Sequence, residues 1–403
     1  MVDEFDTGSE SSRQPAVPGT VVPGLVLTGG GARAAYQVGV LKAIAELLPD
    51  RPLPFRVILG TSAGAVAASV IAARARRWHR AVAQIEHVWG NFEVGQVFHV
   101  GGWRMLRAGL HWLLALVSGG MLLPPPKSLF DNSPLRELLH RSVGWRNLRR
   151  GVARGDLAAL GLCATGYSSA MSVTFYEGRP GLDDWSRRQH LGARAELNLR
   201  HLMASLAVPF LFPPERLGEE FYGDGAMRQL SPLSPAIHLG ANRLLIIGVR
   251  APHHAGVVQR RPGITAPPSP GQLFGYALDT LFMDQIYGDI EQLERMNRVL
   301  KVAPRAVPNA VPVKTLLITP SEDPRAVALR NLDACPRSLR ALLRVIGAGD
   351  VGGAQLASYL MFEKPYTREL ISMGYRDAMA RSPELLRFLT EESSDDSVQE
   401  QRA

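Results

Sequence analysis

Ser62 stands in Gly60-Thr61-Ser62-Ala63-Gly64, a GxSxG spacing. Two such glycines permit a sharp strand-to-helix turn that pushes the serine hydroxyl out of the sheet edge as a nucleophile. The spacing alone is weak evidence: with 39 glycines in 403 residues it arises by chance at a rate on the order of 0.2. Its surroundings give it weight. It follows the apolar run FRVILG (55–60) and opens the alanine-rich AGAVAASVIAARARRW (63–78), so the strand and helix the chemistry requires flank it directly. The first turn of that helix would also stabilise negative charge beside the serine.

A second glycine cluster, Gly29-Gly30-Gly31, likewise follows an apolar run and opens a helical pattern. A dinucleotide fingerprint would need glycine where Ala34 stands and an acidic strand end about 20 residues on, where the chain reads PDRPLPF. A phosphate loop would need GK[ST], which is missing. An oxyanion hole needs two or so backbone N–H groups aimed at a developing alkoxide, which a glycine loop adjacent to Ser62 could supply. Arg33 either adds positive charge to that loop or is a surface arginine of the first helical turn.

A serine nucleophile needs a base. Asp224, in Tyr222-Gly223-Asp224-Gly225-Ala226, is bracketed by glycines at the end of a short apolar run, where a turn would present its carboxylate at a sheet edge. His238, His253 and His254 follow it in the Ser, Asp, His order of hydrolases with a triad, and the residues leave that alternative open.

The elements that must position these groups are legible. GLVL (24–27) and FRVILG read as strands, each followed by a helix with apolar residues at helical spacing, such as Val38, Leu41, Ala45 and Leu48. Strand, helix, strand, helix in so short a span implies a right-handed parallel crossover with both turn loops at one sheet edge. That brings Gly29–Gly31 beside Ser62. Further strands are expected at 160–169, 171–178, 220–227, 243–250 and 313–321, and helices over 196–207, 274–300 and from there to about 389.

Taken together, TGGGARAAYQVGVL, GTSAG, MASLAVPFLFPP (203–214) and YGDGA, in that order, resemble the patatin-like phospholipases. The likeness covers roughly residues 24–250. It implies an α/β protein of three α/β/α layers around a mainly parallel sheet; the mostly helical pattern at about 80–150 reads as a cap, and the residues beyond the match read as extra C-terminal helices. It also implies a lipid acyl hydrolase with a Ser-Asp dyad in place of a triad. Ser62 matches the nucleophile and Asp224 the base; Gly29, Gly30, Gly31 and Arg33 match the oxyanion loop, Gly60 and Gly64 the nucleophile turn, and Gly225 and Ala226 the Asp-Gly turn. Two positions depart from the pattern: Ala34 where the family usually has glycine, and DGA where DGG is frequent. The rival reading is a lipid-binding protein that keeps the fold without the activity.

Composition sets the frame. An apolar fraction of 46% and a charged fraction of 20% are those of an ordinary globular protein. Residues 1–22 and 390–403 read as disordered acidic tails, 23–250 as the catalytic domain, and 251–389 as a mainly helical region packed on it. The net charge is +8, and the acidic tails concentrate about +15 on the middle, a field that attracts anionic surfaces. Arginine outnumbers lysine 40 to 5 throughout, so clusters such as RARRWHR (74–80) follow from a general bias, and nucleic acid is not the expected partner. The expected ligand is a phospholipid or other acyl-ester lipid, with peripheral contact to an anionic membrane. Cys163 and Cys335 form no metal-ligand or disulfide pattern, and the first residues lack an apolar signal core, so a reducing, cytoplasmic setting is expected, with no metal and no cofactor. The stretch LHWLLALVSGGMLLPPP (110–126) runs about 14 residues before its prolines, short of the roughly 20 that span a bilayer. It is expected to line an acyl channel, to form a membrane-facing lid, or to be a buried cap helix without lipid contact.

Overall fold

The computed structural model describes residues 20–99, 114, 118, 128–251, 267, 269–303, 307, 310–347 and 354–391, leaving aside the side chains of 281–284. The stretch 110–126 (Leu114 and Ser118 apart), His253, His254 and nearly all of both tails lie outside the described residues.

In chain order the elements are β1 (Pro23–Leu27), α1 (Ala35–Leu47), β2 (Val57–Thr61), α2 (Ala63–Ala72), α3 (Trp78–Trp89), α4 (Ser133–Ser142), α5 (Trp145–Ala153), β3 (Ala159–Gly166) and β4 (Ser172–Gly178). There follow β5 (Trp185–Arg187), β6 (His190–Arg194), α6 (Leu199–Ser205), β7 (Glu215–Leu217), β8 (Glu220–Asp224), α7 (Ser234–His238) and β9 (Arg243–Ile247). The rest are α8 (Pro270–Val302), β10 (Lys314–Ile318), α9 (Pro324–Arg330), α10 (Arg337–Val345), α11 (Ala354–Leu360), α12 (Lys364–Ala380) and α13 (Ser382–Thr390).

The sheet runs β10-β9-β1-β2-β3-β4-β6-β5, with β8 antiparallel to β3 and β7 to β8. From β10 to β3 all neighbours are parallel. The strands β2, β3 and β9 are buried at every residue, as parallel strands covered by helices on both faces must be. The three-layer α/β/α arrangement around a mainly parallel sheet is therefore present. The crossover is too: β1 and β2 are adjacent and parallel, with Leu27 opposite Gly60, so the loops after them share one edge.

Three short strands depart from the sequence reading. β5, β6 and β7 carry arginine, histidine and glutamate among few apolar residues, and their pairing at the sheet margin gives them little of the burial that makes a strand readable. The helix expected over 63–78 also breaks: α2 ends at Ala72, a 3-10 turn takes Ala75–Arg77, and α3 starts at Trp78.

Candidate active site

Ser62 is the single residue between β2 and α2, at φ 53 and ψ −130. A non-glycine residue there is strained, and strain of this kind is held only where the surroundings over-determine it. They do so here. A β-carbon at Gly60 would lie 2.5 Å from the backbone of Ala65, and one at Gly64 would lie 2.4 Å from the carbonyl oxygen of Leu27. The turn therefore closes tightly on itself and against the end of β1, which only glycine permits at both places. The Ser62 N–H donates to Ser205 Oγ at 3.0 Å and its carbonyl accepts from Ala65 N–H at 2.8 Å. Ser205, fully buried on α6, was not foreseen; it lies in the MASLAVPF stretch, where a lone small polar residue gives little signal.

Asp224 ends β8, opposite Ala164 of β3, which places it at the same edge, where Thr61 of β2 pairs with Cys163. Its N–H donates to Ala207 O at 2.9 Å, its carbonyl accepts from Thr165 Oγ1 at 2.9 Å, and its Oδ1 accepts from Ala226 N–H at 2.9 Å. Gly225 is required next to it, since a β-carbon there would sit 2.3 Å from Cys163 O. Asp224 is 1% exposed, and among the described residues its Oδ2 is buried without a hydrogen bond of ordinary geometry. Burial pushes the carboxyl up to about 7, against the opposing pull of the Ser62 hydroxyl and the Ala226 amide. The buried carboxylate and the Ser62 hydroxyl therefore face one another at this edge.

Gly29 and Gly30 are buried, and Gly31, at φ 54, opens a 3-10 turn through Ala34 in which Arg33 N–H donates to Gly30 O at 3.1 Å. Ala34 adopts φ −63, so its methyl group is accommodated without strain. Gln37 of α1 donates to Thr28 O at 2.9 Å and to Ile247 O at 3.0 Å, capping the ends of β1 and β9 behind the loop. Arg33 is 1% exposed, not a surface residue, and its guanidinium turns onto Asp279 of α8.

His238 lies elsewhere in the fold. Its ring stacks on Trp185 at 5.0 Å and its Nδ1 lies 2.8 Å from Ser234 O, while Trp185 itself stacks on Tyr176 at the level of Gly161, three residues short of Asp224's partner Ala164. Cys163 and Cys335 are free and buried. Among the described residues no cluster of His, Cys, Asp and Glu is gathered as for a metal ion, and no helix is long and apolar enough to cross a membrane.

Ser62 and Gly31 open onto a narrow cavity of about 70 Å³. Its walls are almost wholly apolar: Val66 and Val70 of α2, Ile85, Val88 and Trp89 of α3, Leu135 and Leu139 of α4, and Val208, Phe212 and Phe362. Fold and site together define an α/β protein that presents a strained serine, a glycine loop and a buried carboxylate at one sheet edge, beside an apolar cavity. The profile described as "Patatin-like phospholipase" matches residues 25–237, and the chain belongs to that family.

Among solved structures, VipD from Legionella pneumophila aligns with 91% of this chain and 67% of its own at 12% identity and a TM-score of 0.36. The human GIVD cytosolic phospholipase A2 aligns with 92% of this chain at 13% identity and a TM-score of 0.45. This chain spans only 60% of the human protein's length. No curated protein sequence matches.

Proposed function

We propose that this protein is a serine-dependent lipid acyl hydrolase of the phospholipase A or esterase type, working through a Ser62-Asp224 dyad. The observation that carries the reading is the strained Ser62 at the mouth of an apolar cavity, with a buried carboxylate that accepts protons near pH 7 beside it. Asp224 takes the Ser62 proton as Oγ attacks the ester carbonyl, and the Gly29–Gly31 amides hold the oxyanion. Asp224 returns the proton to the leaving alcohol; water, deprotonated by the same carboxylate, then attacks the acyl-enzyme, and Asp224 hands that proton to the departing Ser62 Oγ as the fatty acid is released. The apolar cavity takes the acyl chain. The cavity and the basic middle of the chain support a phospholipid or other acyl-ester lipid as substrate and peripheral contact with an anionic membrane.

The test is a short-chain nitrophenyl ester together with a fluorophosphonate probe. The wild-type protein is expected to hydrolyse the one and to gain a single adduct at Ser62 from the other, with both lost in Ser62→Ala. Full activity in that variant would sink the mechanism. A folded wild-type protein that takes no probe would favour a lipid-binding protein without catalysis. Alanine at His238, His253 or His254 is expected to leave the rate within an order of magnitude, whereas a triad histidine costs far more.

A further inference from the structure

The guanidinium of Arg33 is held on every side by helices beyond residue 237. Nη1 donates to Asp279 Oδ1 and Nε to Ser358 Oγ, both at 2.8 Å; Nη2 donates to Gln355 O at 3.3 Å, and the group lies 3.9 Å over the Tyr359 ring. Asp279 is itself gripped: Oδ1 also accepts from Tyr359 Oη at 2.7 Å and Oδ2 from Gln355 Nε2. Burial pushes the Asp279 carboxyl up, but the Arg33 cation and the Tyr359 hydroxyl outweigh it and hold it below the ordinary carboxylate range. The pair is therefore ionic at neutral pH.

The same segment touches the loop directly. A β-carbon at Gly31 would lie 2.4 Å from Tyr359 O, so the backbone of α11 is seated on that glycine. Three residues on, Phe362 walls the cavity that Gly31 and Ser62 share. Three consecutive glycines form the backbone with the most freedom to lose, whereas oxyanion donors act only when held to within about half an ångström. Buried ion pairs add little to stability compared with apolar residues of the same size, and in some proteins they serve instead to fix one geometry. Arg33 is the first long side chain after the glycines.

We propose that Arg33, Asp279 and Tyr359 are positioning residues that clamp the Gly29–Gly31 loop in its oxyanion-binding form, making α8 and α11 part of the active-site machinery. The proposal rests on the hydrolase reading and goes beyond it. Tyr359→Phe keeps the ring over Arg33 and removes one bond to Asp279; Asp279→Asn keeps the shape and removes the charge; Arg33→Lys keeps a cation that cannot reach all three acceptors.

Each variant is expected to lower kcat for a nitrophenyl ester about tenfold or more with KM within about twofold, at an unchanged apparent pKa. Each is also expected to speed amide hydrogen exchange over residues 28–35. Should Asp279→Asn fail to fold, Tyr359→Phe carries the test. A lowered melting temperature with kcat and exchange both unchanged would overturn the clamp. If the wild-type protein neither hydrolyses esters nor takes the fluorophosphonate, the hydrolase reading fails, and unchanged exchange at 28–35 in the variants then refutes the clamp on its own.

Discussion

Asp224→Asn is expected to abolish most of the hydrolysis and at the same time to make the protein more stable at pH 8. The carboxyl is fully buried, and its proton affinity rises from 3.8 to about 7. Between those values the folded protein holds a proton that the unfolded chain has lost, so stability falls as pH rises through this window. Below about pH 4 the group is neutral in both states and nothing is lost. Above pH 7 the penalty is complete and is on the order of 4 kcal/mol. Asparagine keeps the Oδ1 acceptor for the Ala226 amide and carries no charge to bury. Thermal unfolding should therefore show the variant clearly above wild type at pH 8, and the gap closing towards pH 4. Ester hydrolysis by the variant should drop by roughly 10³-fold or more, since the proton acceptor is gone. In the wild type the rate should climb through an apparent pKa of about 7 and level off above it. A variant that is less stable than wild type at pH 8, or one that retains its rate, would contradict the role given to Asp224.

The carboxylate thus carries a conflict between stability and activity, and it is legible in the sequence only in part. YGDGA marked Asp224 because glycines bracket it, and GTSAG marked Ser62 because a strand and a helix bracket it. The parallel crossover placed Gly29–Gly31 beside the serine, and the β1-β2 pairing with the seating of Gly64 on the Leu27 carbonyl is its physical form. These were local patterns with a fixed period. Arg33 shows where such reading stops: its partners lie 246 to 326 residues further along the chain, and no periodicity carries that information. A trace of it was present, since Asp279 is the only charge in LFGYALDTLFM (273–283), an acidic residue in an otherwise uncharged stretch of helix. Ser205 left no such trace. The margin strands β5 to β7 escaped because they are short and their arginines, Arg187, Arg194 and Arg216, are exposed, and burial is what writes a strand into a sequence.

Gly374→Ala is expected to destabilise the protein even though alanine is the better helix former. α1 and α12 cross at two glycines: a β-carbon at Gly39 would lie 1.9 Å from Ile371 O, and one at Gly374 would lie 2.1 Å from Tyr36 O. Both obstacles are backbone, so neither can rotate away, and the helices must separate. In an open helix the exchange would gain up to about 1 kcal/mol of propensity. Overpacking of this kind costs about 3 kcal/mol, so the sign is set by contact and not by propensity. Gly288 of α8 supplies the contrast, with nothing within 4 Å of the added methyl group; Gly288→Ala should raise the melting temperature, while Gly39→Ala and Gly374→Ala lower it. The two crossing variants should also combine to less than the sum of their effects, because the first already parts the helices that the second would strain. Full additivity would mean that each glycine is needed for a separate local reason. Parting these helices has a consequence for the site as well. α12 begins two residues after Phe362, which walls the cavity, and Tyr359, five residues before α12, seats its carbonyl on Gly31. Hydrolysis by Gly374→Ala should therefore fall further than the loss of folded protein accounts for, when the rate is normalised to the population that binds the fluorophosphonate.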